Sequence, residues 1–424
     1  MRILFIADGR SPIARSWIDY FIEGDHEVHL LSTSNMPNAP GFASIERLSV
    51  AFSGSRPAIA LSSGSTQTGP ASHGGPGRMR IRSAVRHWLG PFTVPRAARR
   101  ARQVIQQIQP DLIHALRIPF EGFLAARAGT PAPLILSAWG NDFTLHASAA
   151  PGMARLTRHA LHRANGLITD CQHDIDNARD RGYSPGKPVL VVPGNGGVRT
   201  DIFNPEHAPP PSPRSRIWLE SIPASSPVVI NPRGIRSYVR NDTFFQAIPA
   251  ILARHPTTVF LCPGMAGEPE AESRLRRLGV GRAVRLLPRV NAEEMAALFR
   301  RAAVSVSPSE YDGTPNTLLE AMACGCFPVA GDLVSIREWI EPGGNGLLID
   351  STQPESLAQA VVEALEAPLL RELTAQVNTQ IVRDWAGYAD GMSHAEAFYS
   401  EVILRSPQDQ RIPLTAKRDI LAML

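Results

Sequence analysis

Short apolar runs alternate along this chain with longer stretches in which apolar positions recur every three or four residues. In the first half the runs are Ile3–Ala7, Glu27–Leu31, Leu112–Ala115, Leu134–Ala138, Gly166–Thr169 and Val189–Val192. They are rich in Val, Ile and Leu and read as buried strands. Helical spacing lies between them, for example over Ile13–Phe21 and Met153–Ala164. Beyond residue 216 the pattern restarts. It predicts strands at Val228–Asn231, Thr258–Cys262, Val284–Leu287, Val304–Ser307, Phe327–Ala330 and Gly346–Ile349. Strands alternating with helices imply an α/β chain with parallel sheets, and the repeated grammar implies two doubly wound domains. Near the end, Trp385, Tyr388, Met392, Ala395, Tyr399 and Val402 form one helical stripe that is placed to pack back across both domains.

Two stretches interrupt the pattern. Residues 52–78 are rich in Ser, Gly and Pro and hold few large apolar residues, so a long mobile loop is expected there. Pro-Pro-Pro-Ser-Pro at 209–213 predicts a stiff linker. The resulting division is 1–205, 206–384, a helix over 385–404 that crosses back to the first domain, and a poorly ordered tail over 405–424.

Composition narrows the class. At 424 residues the chain is long enough for two cores, and 43% hydrophobic with 19% charged residues is the balance of a soluble globular protein. No run of 18 apolar residues occurs, so no transmembrane helix is expected. The apolar start Arg2–Ala7 meets Asp8 and Gly9 at once, which predicts a first strand rather than a signal peptide. Four cysteines do not make a disulfide framework in so long a chain, and a reducing cytoplasm is the expected setting. Charge is uneven. Residues 1–205 hold 22 basic against 14 acidic residues, and the remainder 21 against 25. Between Glu46 and Asp111 there is no acidic residue, while Arg78, Arg80, Arg82, Arg86, Arg96, Arg99, Arg100 and Arg102 crowd together. Such a cluster suits an anionic membrane leaflet or a phosphorylated acceptor; a solvated loop and helix face is the plainer reading. No nucleic-acid partner is expected.

One segment carries chemistry. Asp312-Gly-Thr-Pro-Asn-Thr-Leu-Leu-Glu320 follows the strand Val304–Ser307 and opens a helix predicted over Asn316–Ala323. In open α/β sheets ligands bind beyond the carboxyl ends of strands. Gly313 allows a tight turn, Pro315 suits a first helical turn, and the amides of Asn316 to Leu318 would form an anion site. A carboxylate stands on each side. The order acid, amides, acid matches the sugar hydroxyls, diphosphate and ribose hydroxyls of a nucleotide sugar. Taken alone, the segment reads more readily as an ordinary strand-loop-helix unit with Glu320 on its wet face.

The run S-P-S-E-Y-D-G-T-P-N-T-L-L-E-A-M-A-C-G-C-F-P-V-A (307–330) resembles the donor-site signature of the retaining GT-B glycosyltransferases of family 4, the glycosyl transferases group 1. That signature is usually E-x7-E; here Asp312 stands at the first acid. Val191–Pro205, Val229–Gly234 and the N-terminal M-R-I-L-F-I-A-D-G-R-S-P-I-A-R-S-W are similar to further stretches of the family. The resemblance implies two Rossmann-like domains facing across a cleft, with the acceptor on 1–205 and the donor on 206–384. It implies Glu320 on the ribose and Asp312 on the transferred sugar. Amides of Gly313, Thr314, Asn316 and Thr317 would meet sugar and phosphates. Arg233 matches the first phosphate-binding arginine, and Arg240 is the best match to the second cation. Arg289 and Val290 match the turn that meets the base. The implied reaction moves a sugar from a nucleotide-diphosphate sugar to a hydroxyl acceptor, a glycan or a lipid-linked molecule. Configuration would be retained, with no protein nucleophile, and domain closure would exclude water. Cell-surface polysaccharide synthesis at the cytoplasmic membrane face is the implied setting.

The first half departs from the family. Many members carry a His after the strand at Leu134–Ala138, where this chain has Trp139, so Asn141 and Asp142 remain as hydroxyl binders. Ser11 and Arg15 in the first loop and His114 at a strand end complete the acceptor-side candidates; for His114 a hydrogen-bonded structural role competes. Asp174-Ile-Asp176 spells a D-x-D pair but lies in a predicted helix, and Cys324-Gly-Cys326 reads as a helix-ending turn, so no essential metal or cofactor is expected. A member that binds nucleotide sugar without turnover, and a nucleotide-sugar epimerase on the same fold, are the competing readings.

Overall fold

The computed structural model describes residues 1–53, 76–206 and 212–406, apart from the side chains of 76–83. Most of the loop expected over 52–78, most of the Pro-Pro-Pro-Ser-Pro stretch, almost all of the tail expected over 405–424, and the side chains of Arg78, Arg80 and Arg82 lie outside them.

The described residues form two compact units. The first comprises 1–53, 81–196 and 390–406, and the second 76–80, 197–206 and 212–389. Val198 and Gly387 make a bridge that ties both ends of the second unit: Val198 N donates to Ala386 O at 2.7 Å, and Tyr388 N donates to Val198 O at 2.9 Å.

In the first unit the elements are β1 (Arg2–Ala7), α1 (Pro12–Glu23), β2 (Glu27–Ser32), β3 (Ser44–Arg47), α2 (Pro76–Ile108), β4 (Leu112–Ala115), α3 (Phe123–Ala128), β5 (Leu134–Ala138), α4 (Pro151–Arg163), β6 (Gly166–Thr169), α5 (Gln172–Asp180) and β7 (Val189–Val191). All pairings are parallel, in the order β3-β2-β1-β4-β5-β6-β7. Central strands are buried along their whole length, as two-sided helix cover requires.

In the second unit α6 (Pro213–Glu220) precedes β8 (Val228–Ile230), α7 (Asn241–Arg254), β9 (Val259–Pro263), α8 (Pro269–Leu278), β10 (Val284–Leu287), α9 (Ala292–Arg301), β11 (Val304–Ser307), α10 (Asn316–Ala323), β12 (Phe327–Gly331), β13 (Leu347–Ile349), α11 (Pro354–Glu366) and α12 (Pro368–Trp385). The sheet is again parallel, in the order β10-β9-β8-β11-β12-β13. Val228 and Ile230 enter one core and Val229 the other, so alternate side chains of β8 feed both faces. Strand order reverses between β8 and β11, which makes the gap at their carboxyl ends the switch point of this sheet.

The last helix, α13 (Tyr388–Arg405), contributes its residues from Asp390 onward to the first unit. Tyr399 is fully buried there and stacks on Phe21 at 4.7 Å. Its hydroxyl accepts from Trp17 Nε1 at 2.8 Å and meets His114 Nδ1. A Cβ on Gly166 would come within 2.7 Å of Val402, so this close approach requires glycine.

Candidate functional site

The β11–α10 loop and the turn after β8 meet at the switch point of the second unit. After β8, Asn231 folds the chain back: its Oδ1 accepts from Arg233 N at 3.1 Å. Gly234, at φ +63, supplies the left-handed residue that the turn needs. Two contacts fasten the next residues to the β11 loop. Arg240 N donates to Pro308 O at 2.9 Å, and Glu310 N donates to Tyr238 O at 2.9 Å. From below, Ser335 Oγ donates to Asp312 O at 2.8 Å and Trp339 Nε1 to Thr314 Oγ1 at 3.1 Å. The loop is thus fixed before any ligand arrives. Gly313 lies outside the left-handed region, so no positive φ calls for a glycine there.

Arg233 is the centre of the site. It is 9% exposed, pairs with Asp312, and donates from Nη1 to Thr317 Oγ1 at 3.1 Å. Its Nε is buried and has no partner among the described residues. Burial pushes the Asp312 carboxyl up, against the pull of Arg233. Glu320, one and a bit turns into α10, makes no hydrogen bond through its carboxylate among the described residues. Burial pushes it up to about 7, again against Arg233. At the start of α10, Leu318 N is taken by Pro315 O at 2.9 Å, so it is not the free amide the sequence predicts. The N–H groups of Asn316 and Thr317 make no such bond among the described residues, which leaves two donors at a helix N-terminus beside Arg233. Thr314 is buried.

Two arginines stand near Arg233 as candidates for the second cation. Arg240 grips Asp242 at 3.0 and 2.9 Å and Glu310 at 2.9 Å. Two carboxylates answer its charge in this structure. Arg236, three residues after Arg233, is exposed, donates from Nε to Arg233 O at 3.0 Å, and lowers the Asp312 pKa electrostatically. Sequence reasoning passed over it because it sought a cation several positions further on. The Arg-x-x-Arg spacing was the available signal. Arg289 and Val290 follow β10 at the far edge of the sheet. The Arg289 carbonyl accepts from Arg214 at 2.9 Å, its side chain is exposed, and Val290 packs partly against the core.

In the first unit most acceptor-side candidates are structurally committed. Ser11 caps α1 through Ala14 N at 3.4 Å. Arg15 reaches Asp19 at 2.7 Å and lies over Phe42. His114 is buried, with Nε2 on Ser137 Oγ at 2.8 Å and Nδ1 on Tyr399, and burial lowers it to about 3; it is a neutral core histidine rather than a surface group. Asp142 is 1% exposed and accepts from Arg117 at 2.9 and 2.7 Å and from Ile118 N and Trp139 N, which leaves it no capacity for substrate hydroxyls. Asn141 accepts from Arg117 at 3.3 Å. Trp139 stands at the end of β5 with its Nε1 buried and unpartnered among the described residues. Of the D-x-D pair, Asp176 faces solvent toward Arg179, whereas Asp174 is buried near Asp170 and Cys171, all three ligand atoms within 4.8 Å of one another. Asp170 Oδ2 there accepts from Gly140 N at 3.0 Å and Asn195 Nδ2 at 3.2 Å. Gly325, at φ +83, ends α10 as expected for a helix-terminating turn, and both flanking cysteines are buried.

Residues 226–367 match the family described as glycosyl transferases group 1, and residues 11–195 match the glycosyl transferase 4-like domain. Among curated relatives, a D-inositol 3-phosphate glycosyltransferase of Thermobispora bispora is 29% identical over 196 residues, 44% of each chain. A second, from Catenulispora acidiphila, is 28% identical over 261 residues, 58% of each. The chain thus spans about half the length of the curated relatives it matches. Among solved structures, a sucrose-phosphate synthase from Thermosynechococcus elongatus superposes with a TM-score of 0.71 at 17% identity, over 95% of this chain and 99% of that one. Anabaena Alr3699/HepE in complex with UDP-glucose gives 0.68 at 16%, over 94% and 100%. The fold is GT-B: α/β, with two Rossmann-like units.

Proposed function

The chain belongs to the glycosyl transferases group 1 family, and from that premise we propose that it moves a sugar from a nucleotide-diphosphate sugar to a hydroxyl acceptor with retention of configuration. The observation that carries this reading is a juxtaposition at one switch point: a buried Arg233 Nε without an acceptor among the described residues, beside a half-buried Glu320 carboxylate that makes no hydrogen bond to them. Leaving the buried Arg233 Nε unmet costs about 1–3 kcal/mol, and a donor molecule would supply its acceptor as well as hydroxyls for Glu320. Glu320 would accept from ribose hydroxyls. Asp312 would accept from hydroxyls of the transferred sugar. Arg233, Arg236 and the amides of Asn316 and Thr317 would take the diphosphate.

In the step itself the bond from the anomeric carbon to the β-phosphate oxygen breaks. The acceptor oxygen bonds to that carbon on the same face, and its proton passes to the departing phosphate oxygen. Charge grows on the nucleoside diphosphate, and fixed donors aimed there are each worth about 3–4 kcal/mol. No protein nucleophile and no metal is needed in this scheme; a chelator that abolished turnover would contradict it. Curated relatives named D-inositol 3-phosphate glycosyltransferases make a phosphorylated polyol one acceptor to test beside glycans and lipid-linked acceptors. A role in bacterial cell-surface glycan synthesis, on the cytoplasmic side and at the membrane face, accords with these acceptors.

A member that binds donor without turnover is the second reading, favoured by Trp139 in place of the family's histidine. Titration with a panel of nucleotide sugars, followed by assay of sugar release and transfer, separates the two. Binding with transfer supports the proposal; binding without release or transfer under any acceptor supports the second reading.

A further inference from the structure

Helix α2 turns two unlike faces outward and inward. Its inner face is fixed in the core of the first unit by Val94, Ala97, Ala101 and Ile105. Its outer face carries Val85, Trp88, Leu89 and Phe92, exposed at 42%, 60%, 50% and 80%. Their spacing of three, one and three residues puts them on one side of the helix. Arg96, Arg99 and Arg100 continue the same side over the next two turns, all exposed and without an ion pair among the described residues. Phe52, 52% exposed, follows Ala51, whose N–H bonds Thr93 Oγ1 of this helix at 3.0 Å. No acidic residue occurs between Glu46 and Asp111 to answer the arginines.

A monomer in water gains nothing from four large apolar side chains on a rigid helix face. A protein partner would have to bring a matching row of acids beside an apolar pocket. An anionic lipid surface meets both halves at once: tryptophan and phenylalanine enter the headgroup boundary, and the guanidinium groups take lipid phosphates. Helix α12 offers a contrast. It exposes Leu369, Leu373 and Val377, but Glu372, Gln376 and Gln380 lie among them and no arginine row continues the face.

We propose that Val85, Trp88, Leu89 and Phe92, with Arg96, Arg99 and Arg100, form a docking face for an anionic membrane. The other side of the same helix reaches the acceptor-side loops of the first unit. Arg86 lies over the Phe120 ring at 4.6 Å, His87 Nε2 meets His146 Nδ1 at 2.9 Å, and a Cβ on Gly90 would strike Phe120. Phe120 itself sits at φ +70, a strained conformation for a phenylalanine, in the loop after β4. Docking through the outer face would therefore set the loops after β4 and β5 beside the lipid surface, where a lipid-linked acceptor presents its hydroxyl.

Flotation with vesicles of phosphatidylcholine alone, and with added phosphatidylglycerol, tests this on the full chain. Wild type is expected to float only with anionic vesicles. Arg96→Gln/Arg99→Gln/Arg100→Gln is expected to weaken partitioning about a hundredfold, since each arginine near an anionic leaflet contributes about fivefold. Trp88→Ser/Phe92→Ser is expected to abolish it, and Leu369→Ser/Leu373→Ser to leave it unchanged. Circular dichroism and nucleotide-sugar binding in solution should match wild type for all three, so a failure of the donor reading would not be mistaken for a failure here. Absence of wild-type flotation, or flotation that survives both α2 variants, would overturn the proposal. So would a wild-type dimer that Trp88→Ser/Phe92→Ser converts to monomer without any vesicle binding, because the face would then join two copies of this chain.

Discussion

At the carboxylate of Glu320, stability and the proposed ribose contact pull in opposite directions. Burial raises its pKa from 4.5 to about 7 in the folded chain. The folded state therefore holds the proton more tightly than the unfolded one. The stability this group contributes below about pH 4.5 is lost as pH rises through 7. Glu320→Gln should be more heat-resistant than wild type at pH 8, by an amount equivalent to about 1–3 kcal/mol, and no more resistant at pH 4.5; thermal melts at both pH values decide it. Ribose hydroxyls favour the carboxylate form, so donor affinity of the wild type should rise with pH through about 7. In Glu320→Gln that slope should vanish. Arg236 and Arg240 part company at the same scale. Arg236→Ala should slow transfer about a hundredfold or more by removing a cation from the leaving diphosphate. Arg240→Ala breaks contacts to Asp242 and Glu310 and should act mainly on stability. Equal losses of turnover in single-turnover assays would count against that division.

Among the elements, every strand but β3, together with the β11–α10 segment, was legible in the sequence because a buried parallel strand is a short apolar run and needs no partner to be recognised. Asn316–Ala323 and Val304–Ser307 stand where the pattern puts them. Helix α2 was not legible. Pro91 and Pro95 lie inside it, and proline reads as a helix breaker in a single sequence. Strand β3 was missed because Ser44–Arg47 is a half-exposed edge with no apolar run. The roles of individual charges were least legible, since Arg240, Asp142 and Arg15 are committed to partners that only folding brings near. His114 belongs with these: its bonds to Ser137 and Tyr399 join β4, β5 and α13, far apart in sequence. Tyr399→Phe leaves Trp17 Nε1 and His114 Nδ1 without a partner in the core and should cost about 1–3 kcal/mol in chemical denaturation, with donor binding at low denaturant unchanged.

For the whole molecule, two parallel sheets with flanking helices and matches along residues 11–195 and 226–367 make the family assignment, while the chemistry rests on one segment of the second unit. On the proposed reading that segment is what binds the donor. Calorimetric titration of nucleotide-diphosphate sugars into wild type and Glu320→Ala tests it most directly. The account predicts a measurable dissociation constant for at least one donor in the wild type, weakened about 10- to 100-fold in Glu320→Ala, the range of one or two lost charge-assisted hydrogen bonds. Wild type that binds no nucleotide sugar, or Glu320→Ala that binds as tightly as wild type, would contradict it.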